Sequence, residues 1–288
     1  MAILILLLVL GACLCDKLIT SELVEKLRAK AMWKVVDHDK NKFKDYTVDE
    51  FKLMLRARKP VALPEKKDPP RNLQSATLPV NFDGRDKWPT CIHPVRDQHK
   101  CGGCWAFGTT NHLSDRFCIR GKDIILSPQN LIECDSYDDC CDGADMTNVY
   151  KFLQETGIVE DSCRAYDQQC GVCRKSSCVK YKCKYRSVWE SYDVNTIKSQ
   201  IYNRGPVMAI YDVYSDFVNY ASGVYYHTGG ELLGVHAVEI LGWGEEDGMK
   251  YWLSKNEWGL DWGADGYFKI RMGECEINEY MSTCEPLI

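Results

Sequence analysis

"KCGGCWAFG", residues 100–108, contains a C-x-x-C spacing that fits three different chemistries. Cys101 and Cys104 are compatible with a redox couple, with half of a zinc site, or with a structural cysteine beside a nucleophile. A thioredoxin-like pair follows a strand of a βαβ unit, whereas "HPVRDQHK" precedes this pair and the later predicted strands lack crossover helices. A zinc site needs two more ligands, and Cys170 and Cys173 have suitable spacing.

Residues 1–15, "MAILILLLVLGACLC", have the features of a secretory signal peptide. Ala2 to Leu10 form an apolar core that is too short to span a bilayer, and small residues follow it. The alternative interpretation is a buried N-terminal helix. Of the 16 Cys in the chain, 14 follow this segment, and most are expected to pair in an oxidising compartment. Disulfides are therefore favoured over zinc, and the mature protein is expected to have no membrane span.

Charge is distributed unevenly along the chain. Residues 1–77 hold 15 basic and 10 acidic side chains, whereas residues 78–288 hold 21 basic and 31 acidic ones. A basic leader before an acidic body suggests that the first segment binds the second, although two solvated surfaces would have the same composition. The acidic body argues against nucleic acid as a ligand.

The leader is predicted to contain two helices and a linker. Apolar residues recur at near-helical spacing in residues 19–36, and residues 48–59 form a second, shorter pattern. Neither helix can bury its apolar face alone, so we expect both to pack on the body, with Trp33 and Phe51 as anchors. Residues 60–79 are rich in Pro and Lys, which predicts an extended linker open to proteases.

The body changes from helical to strand patterns along its length. Helices are predicted within residues 104–160, in "CWAFGTTNHLSDRFCIRG", "SPQNLIEC" and "DMTNVYKFLQETG". Beyond residue 205, "PVMAIYDVY", "HAVEILGWG", "MKYWLSKNEW" and "GYFKIRMG" are rich in β-branched and aromatic residues. This order predicts an α+β protein of two lobes, with a cleft between them as the substrate site.

Cys104 has the context of a reactive thiol. It begins a predicted helix, where free N–H groups and the helix dipole favour the thiolate. His236 lies on a Gly-flanked strand of the second lobe and would supply the base. Asn256 would orient its ring, and Trp258 would shield that hydrogen bond from water. Each partner alone also has a structural explanation, because His occurs in apolar strands and Asn marks turns.

The three segments together resemble a known family. "DQHKCGGCWAF", "GVHAVEILGWG" and "KNEWGLDWGADGYFKI" are similar, in order and spacing, to the active-site blocks of papain-like cysteine peptidases. The resemblance covers residues 78–288. Within that family, "LPVNFDGRDKWPTC", "VYSDFVNYASGVYYHTGGELLGVHAVEILGWG" and the leader's "AMWKV" resemble the cathepsin B-like branch.

The resemblance implies a domain organisation. Residues 1–15 would be the signal peptide, residues 16–77 an inhibitory propeptide, and residues 78–288 the peptidase domain. The implied α+β fold has a helical left lobe at about 90–200 and an antiparallel, β-barrel-like right lobe at about 205–288. The N-terminal segment of the domain would cross over to the right lobe, and the active-site cleft would lie between the lobes.

The resemblance also implies the chemistry. Cys104 corresponds to the nucleophile, His236 to the general base and acid, and Asn256 to the residue that orients the imidazole. Gln98, with the backbone N–H of Cys104, would form the oxyanion hole. The implied reaction is peptide hydrolysis through a thioester acyl-enzyme, without a metal or cofactor.

Five further residues are similar to the family's substrate-binding positions. Gly143 and Ala144 belong to the turn that binds extended substrate, Trp258 would cover the His–Asn bond, and Trp262 would line the leaving-group side. Tyr280 stands where the branch has an acidic residue at the base of its main specificity pocket. Tyr favours an apolar or aromatic group there, whereas a register shift by one residue to the neighbouring Glu279 would restore acceptance of Arg.

Four departures from the family pattern bear on activity. Gly103 replaces a usual Ser or Ala, and Ala144 replaces a second Gly and would restrict φ or narrow the cleft. Glu257 replaces a usual Ser, and a carboxylate near the His–Asn pair would favour imidazolium and alter the pH profile; the sequence does not determine whether it points toward the site or away from it. The segment 162–183 is short and contains no His, unlike the paired-His insertion that makes cathepsin B a dipeptide-releasing exopeptidase. This predicts an open cleft and endopeptidase activity.

The resemblance implies four disulfides and leaves five other cysteines besides Cys104. The implied pairs are Cys91–Cys118, Cys101–Cys141, Cys134–Cys178 and Cys163–Cys183. The remaining five are Cys140, Cys170, Cys173, Cys275 and Cys284. Because five is odd, at least one of them is expected to be a free thiol.

The expected partners are protein and peptide substrates, the protein's own propeptide and cystatin-like inhibitors, with a monomer as the assembly. The expected location is the secretory pathway, ending in a lysosome-like acidic vesicle or outside the cell. Acid should speed activation by protonating carboxylates that hold the basic leader. The alternative from another class is a catalytically silent binding or matrix protein on the same scaffold, although such relatives usually lose the nucleophile.

Overall fold

The computed structural model describes residues 17–59 and 78–288. The predicted signal peptide and most of the predicted linker lie outside these residues. The helices in the described residues are α1 Ser21–Arg28, α2 Val48–Lys52, α3 Gly84–Lys87, α4 Cys104–Ile119, α5 Pro128–Cys134, α6 Met146–Glu155 and α7 Val194–Arg204. The strands are β1 Lys34–Val35, β2 Ala57–Arg58, β3 Phe82–Asp83, β4 Ala144–Asp145, β5 Trp189–Ser191, β6 Val207–Tyr214, β7 Tyr220–Ser222, β8 Val224–Tyr225, β9 Leu232–Glu246, β10 Met249–Lys255, β11 Tyr267–Arg271 and β12 Tyr280–Thr283.

Within those two ranges, no helix combines the length and the apolar composition that a membrane crossing requires.

The helical lobe is built on α4, α5 and α6, which the sequence predicted. The hydroxyl of Ser127 accepts the N–H of Asn130, and Pro128 is the first residue of α5, so the free N–H groups of this helix start are partly satisfied. Asp145 caps α6 in the same way. Every residue of α4 from Cys104 to Cys118 is buried, because this helix lies between the other helices and the sheet. The prediction of these three helices is confirmed.

The second lobe is one open sheet in the order β5-β12-β6-β9-β10-β11-β8, with β3 also paired to β9. β9 is the longest strand, with 15 residues, and it pairs with β6 and β10 on its two sides. All pairs on this path are antiparallel except β8 with β11. The expected barrel-like closure is wrong for the described residues, because the short end strands β5 and β8 pair only with β12 and β11.

The boundary between the lobes comes earlier than the predicted residue 205. β5 is an edge strand of the sheet, and α7 buries Ile197 and Ile201 in the apolar cluster of the sheet lobe. Both elements lie in the range that was expected to be helical lobe. Helical periodicity predicts a helix but carries no information on which lobe will cover its apolar face.

The leader helices are shorter than predicted. α1 ends at Arg28, and Val35, which was assigned to the same helical pattern, pairs with Tyr220 as part of β1. α2 begins with a capping box between Thr47 and Glu50 and ends at Lys52. Residues 53–59 leave the helix because they find partners on the body, which outweigh the local helical preference.

Trp33 and Phe51 anchor the leader as predicted. Their side chains are 3% and 0% exposed and belong to the apolar cluster of the sheet lobe. The Trp33 indole also donates from Nε1 to the carbonyl of Tyr226 at 3.0 Å. Burying a side chain of the size of Phe51 contributes about 1.5–3 kcal/mol, so these two residues account for much of the leader's attachment.

Six disulfides join twelve of the described cysteines, and Cys104 and Cys275 are free. The pairs are Cys91–Cys118, Cys101–Cys141, Cys134–Cys173, Cys140–Cys170, Cys163–Cys178 and Cys183–Cys284. The first two are those that the resemblance implied. Since Cys101 is bonded to Cys141, the C-x-x-C is not a redox couple. Since Cys170 and Cys173 are also in disulfides, they are not zinc ligands.

The implied pairs Cys134–Cys178 and Cys163–Cys183 are wrong. Cys183 forms an antiparallel bridge with Pro286, which brings it to Cys284 near the C-terminus. Cys178 is then left to bond Cys163 inside the short segment 162–183, and Cys134 bonds Cys173. Disulfide partners depend on this tertiary pairing, which the spacing of cysteines does not contain.

Candidate active site

Helix α4 and strand β9 bring the predicted nucleophile and base to the same place. Cys104 and His236 are both fully buried. A Cβ atom on Gly108 would lie 3.2 Å from the backbone of Ala237, so a side chain there would push α4 and β9 apart by a few tenths of an ångström. The backbone of Ala237 lies close enough to the Cys104 thiol to lower its pKa. The residue next to His236 therefore touches the thiol.

His236 is held by the partners that the sequence predicted. Its Nε2 lies 2.9 Å from Oδ1 of Asn256, and its ring stacks on Trp258 with 4.8 Å between centroids. Because the amide oxygen only accepts, Nε2 carries the proton in this arrangement. Nδ1 has no hydrogen-bond partner in the described structure, which leaves it available to take a proton from Cys104.

Gln98 lies on the same site, but its donor group is occupied. Nε2 donates to the carbonyl of Met54 at 2.9 Å and to that of Cys101 at 2.8 Å. The backbone N–H of Gln98 donates to the carbonyl of Glu257 at 2.8 Å, which ties this residue to the loop after β10. Since Met54 belongs to the leader, a leader carbonyl takes the hydrogen bond that the resemblance assigns to a substrate oxyanion.

The leader crosses the cleft over Cys104. β2 pairs in parallel with β4, so that Ala57 lies opposite Ala144, and Arg56 forms a bridge to Val235 of β9 on the other lobe. Gly143 has φ +115°, and a Cβ atom there would overlap the carbonyl oxygen of Arg56. The Gly143–Ala144 turn therefore binds an extended backbone in this structure, and that backbone is the leader.

The covered site holds a thiol and a neutral imidazole. The pKa of Cys104 is raised to about 12, chiefly by burial and secondly by the charge of Glu257, although the nearby backbone opposes both. Burial also lowers the pKa of His236 to about 4, although the hydrogen bond with Asn256 opposes this shift. With these shifts the thiolate–imidazolium pair does not form at neutral pH while the leader is in place.

Tyr280 belongs to a buried apolar cluster. Its side chain is 3% exposed, and its hydroxyl donates to Oε1 of Glu190 at 3.0 Å. Glu279 is exposed, so Tyr280, and not its neighbour, faces the interior. The leader residue Ala57 shares this cluster. Its other members include Ala144, Met146, Ile210 and Ala237.

The glycine at position 103 is explained by a neighbouring side chain rather than by its backbone conformation. It has φ −88° and ψ 14°, which residues with side chains adopt as well. A Cβ atom there would lie 2.9 Å from Cδ1 of Ile132. Ile132 of α5 therefore fills the space that a serine or alanine side chain would need.

Glu257 points toward the imidazole, which the sequence did not determine. Its side chain is fully buried, and Oε1 lies 3.2 Å from Nε2 of His236. Trp262 is also buried, and its ring meets that of Trp258 edge-on with 4.8 Å between centroids. The wall behind the imidazole therefore contains an apolar pair and one carboxyl group.

Sequence reasoning did not identify the ion pairs that join cationic residues of the leader to the body. The ammonium of Lys42 contacts Asp97 at 3.0 Å, Asp261 at 2.7 Å and the carbonyl of Trp258. That of Lys59 contacts Asp212 at 2.6 Å and Glu276 at 2.5 Å. Arg58 pairs with Asp139 on the other wall. The opposite charges of leader and body predicted attraction in general but not these pairs.

A second buried group of charges lies behind the site. Nζ of Lys255 lies 2.9 Å from Asp115 and 2.8 Å from Glu239, and these three side chains are at most 1% exposed. His93 contacts the same Asp115 at 2.6 Å. Because Lys255 directly precedes Asn256, this cluster fixes the end of β10 from which the orienting amide projects.

Known proteins with the same arrangement are peptidases. The family model described as papain family cysteine protease matches residues 78–284. Cathepsin B-like CP3 of Giardia intestinalis is 41% identical over 227 residues, which cover 73% of this chain and 76% of that protein. The gut-specific cysteine proteinase of Caenorhabditis elegans is 34% identical, with 87% and 88% covered.

Solved structures agree with the sequence relatives. ProCathepsin B S9 from Trypanosoma congolense superimposes with a TM-score of 0.87 at 29% identity, over 95% of this chain and 100% of that one. Procathepsin L2 from the larval midgut of Tenebrio molitor gives a TM-score of 0.81 at 27% identity, over 93% and 89%. The similarity to both extends beyond the matched domain into the leader.

Proposed function

This chain belongs to the papain family of cysteine proteases, and we propose that Cys104, His236, Asn256 and Gln98 are its catalytic residues. The protein is a cathepsin B-like cysteine peptidase made as a zymogen. The observation that carries the proposal is the hydrogen bond between His236 and Asn256 beside the free thiol of Cys104. We further propose that residues 16–77 are the inhibitory propeptide and residues 78–288 the peptidase domain.

Catalysis would follow removal of the leader. His236 Nδ1 takes the proton of Cys104, and the thiolate attacks the carbonyl carbon of the scissile peptide bond. Gln98 Nε2, released from Met54, and the backbone N–H of Cys104 donate to the resulting oxyanion. The C–N bond breaks as His236 gives its proton to the amine. Water, deprotonated by His236, then cleaves the thioester and restores the thiol.

We propose that the cleft is open and that the enzyme is an endopeptidase of the branch without an occluding insertion. Residues 162–183 contain no His, and several contacts hold this segment on α5, while its Tyr166 donates to the carbonyl of Gln98 at 2.6 Å. Cys134 bonds Cys173, Arg164 donates to Glu133 at 3.0 Å from Nε, and Gln129 donates to the carbonyl of Gln169 at 2.8 Å.

The processed enzyme should cut peptides that are blocked at both ends, with an apolar or aromatic group two residues before the scissile bond. The pocket at Tyr280 favours such a group because its walls are apolar and its phenol is engaged with Glu190. The measurement is digestion of an end-blocked, internally quenched library, with product mapping by mass spectrometry. Release of C-terminal dipeptides alone would refute the open cleft, and a dominant Arg preference would refute the pocket assignment.

Activation of the purified zymogen should be faster at about pH 4.5 than at about pH 7.5, because Asp and Glu ordinarily titrate near pH 4. Pairs between lysines and carboxylates weaken in acid, and Lys42 and Lys59 form four of them between leader and body. The readout is the rate of leader loss on gels. A Lys42→Met/Lys59→Met variant should activate faster at neutral pH and depend less on pH.

Lys44→Met is the matched control for activation. Lys44 lies in the same leader, and its ammonium bonds the carbonyl of Asp39, also in the leader. This variant should activate like the unmodified zymogen. Equal activation rates at the two pH values would show that charge is not the trigger.

For its cellular setting, we propose the secretory pathway, with a lysosome-like acidic vesicle or the extracellular space as the destination. The signal-like N-terminus and the six disulfides support this. Protein and peptide substrates, cystatin-like inhibitors and a monomeric state belong to the same proposal. Size-exclusion chromatography of the processed enzyme tests the monomer, and titration with a cystatin tests the inhibitor class.

A further inference from the structure

Glu257 is a buried acid that the mechanism above does not use. Neither carboxyl oxygen has a hydrogen-bond donor in the described structure, although both are shielded from solvent. The one close polar group is the His236 imidazole, with Nε2 3.2 Å from Oε1. A buried carboxyl without donors is costly unless a cation forms beside it. The imidazole is the group that becomes a cation during the proposed reaction.

The side chain is also fixed in place. The backbone N–H of Glu257 donates to Oδ1 of Asn256 at 2.9 Å, and its carbonyl accepts the N–H of Gln98. The same amide oxygen of Asn256 faces His236 Nε2 at 2.9 Å. Asn256 and Glu257 therefore present two acceptors to one ring nitrogen from adjacent positions.

Other charges around Glu257 are accounted for. Lys255 of β10 is the cation among them, but it is already paired with Asp115 and Glu239. Asp97 pairs with Lys42 of the leader. Because Asp97 has the same charge as an ionised Glu257, it does not act as a counter-charge after processing. The titratable groups that act on or feel Glu257 are His236 and Glu239 of β9, Cys104 of α4, Lys255 of β10, Tyr211 of β6 and Asp97.

We propose that Glu257 is a positioning residue that lies beside Nε2 of His236 and, when ionised, pairs with the His236 imidazolium in competition with the Cys104 thiolate. This rests on the proposed function of His236 and Cys104. The carboxylate stabilises the imidazolium, so His236 loses its proton only at higher pH. It repels the thiolate only at pH values where Glu257 itself is ionised.

The alkaline limb of the pH–activity curve, which reports loss of the imidazolium proton, is therefore displaced toward alkaline pH, because Glu257 lies directly beside the imidazole. The acid limb stays in place, because Glu257 is protonated there. Burial raises the pKa of Glu257 itself, and Glu239 adds to the shift while Lys255 opposes it. The effect is present where Glu257 is ionised and disappears at low pH.

The test compares processed wild-type enzyme with Glu257→Gln and Glu257→Ser. The rate of Cys104 alkylation by iodoacetamide and kcat/KM for one end-blocked peptide are measured from about pH 4 to 10. The alkaline midpoint should move to lower pH by about one unit in each variant, while the acid midpoint stays in place. Gln keeps the shape of Glu without its charge, and Ser removes its bulk. Glu245→Gln, an exposed carboxylate on the same strand as His236, should leave both midpoints in place.

Two results would overturn the inference. An unchanged alkaline midpoint in an active Glu257→Gln enzyme would show that no carboxylate charge acts on the pair. A uniform loss of activity at all pH values, in Gln and Ser alike, would assign Glu257 to packing alone. Failure of the proposed function is distinguishable, because then wild-type enzyme would show no peptide hydrolysis at any pH although its thiol is alkylated.

Discussion

Cys104→Ala removes peptide hydrolysis, with kcat falling by at least about 10⁴-fold. The thiol of Cys104 is the sulfur that faces the backbone of Ala237 beside His236, and alanine offers no nucleophile. The variant zymogen should also keep its leader in acid, since no enzyme is formed to remove it. The measurements are hydrolysis of an end-blocked peptide and labelling by an epoxide affinity reagent.

Cys275→Ala is the matched control, because Cys275 is the other free cysteine of the described chain. It should retain hydrolysis and labelling, which assigns both to Cys104. Undiminished labelling of the Cys104→Ala protein would contradict the proposal. A wild-type protein that folds and is processed but neither hydrolyses nor labels would instead be the silent scaffold considered from the sequence.

Lys255→Met lowers the free energy of unfolding by about 3–5 kcal/mol. The methionine side chain keeps most of the volume, so the loss comes from charge. Burial opposes ionisation of Asp115, but Lys255 and His93 hold its pKa below the usual value. Burial and the charge of Asp115 raise the pKa of Glu239, which leaves Asp115 as the stronger acid of the two partners of Lys255. Without Lys255, a buried Asp115 loses its main counter-charge.

The measurement is urea unfolding of the zymogen near neutral pH, in a Cys104→Ala background that prevents processing. Lys269→Met is the matched control, because its ammonium also contacts a carboxylate, Glu246 at 2.6 Å, but both side chains are a third or more exposed. Its loss should be about 0–1 kcal/mol. Equal losses of unfolding free energy in the two variants would show that the buried ion pairs stabilise the protein no more than an exposed pair does.

The residues of the site could be predicted from the sequence because the motif contains them. Cys104 begins its helix, and His236 and Asn256 follow at the family's order and spacing, so their meeting needed no further information. Glu257 was visible as a departure, but its direction was not, because a side chain's rotamer depends on neighbours from other elements. The assignment of Tyr280 to the specificity pocket stays a prediction.

The errors share a physical cause in long-range pairing. Val35 fits a helical period, yet it pairs with Tyr220, and a strand contact outweighs weak local propensity. Cys183 bonds Cys284 across 101 residues because their backbones meet at the C-terminus. The ion pairs of Lys42 were missed because the sequence around a lysine in a basic leader does not indicate which carboxylate it will contact. Such partners are set by the assembled fold.

The disulfides around α5 bear on how long this peptidase survives among copies of itself. Residues 162–183 are largely exposed, and exposed loops are the usual sites of proteolytic cleavage, self-digestion included. Cys163–Cys178 closes a loop, and Cys134–Cys173 and Cys140–Cys170 tie its interior to the body. A cut between Cys163 and Cys178 therefore leaves both new ends covalently attached. The molecule can be nicked there without shedding a fragment.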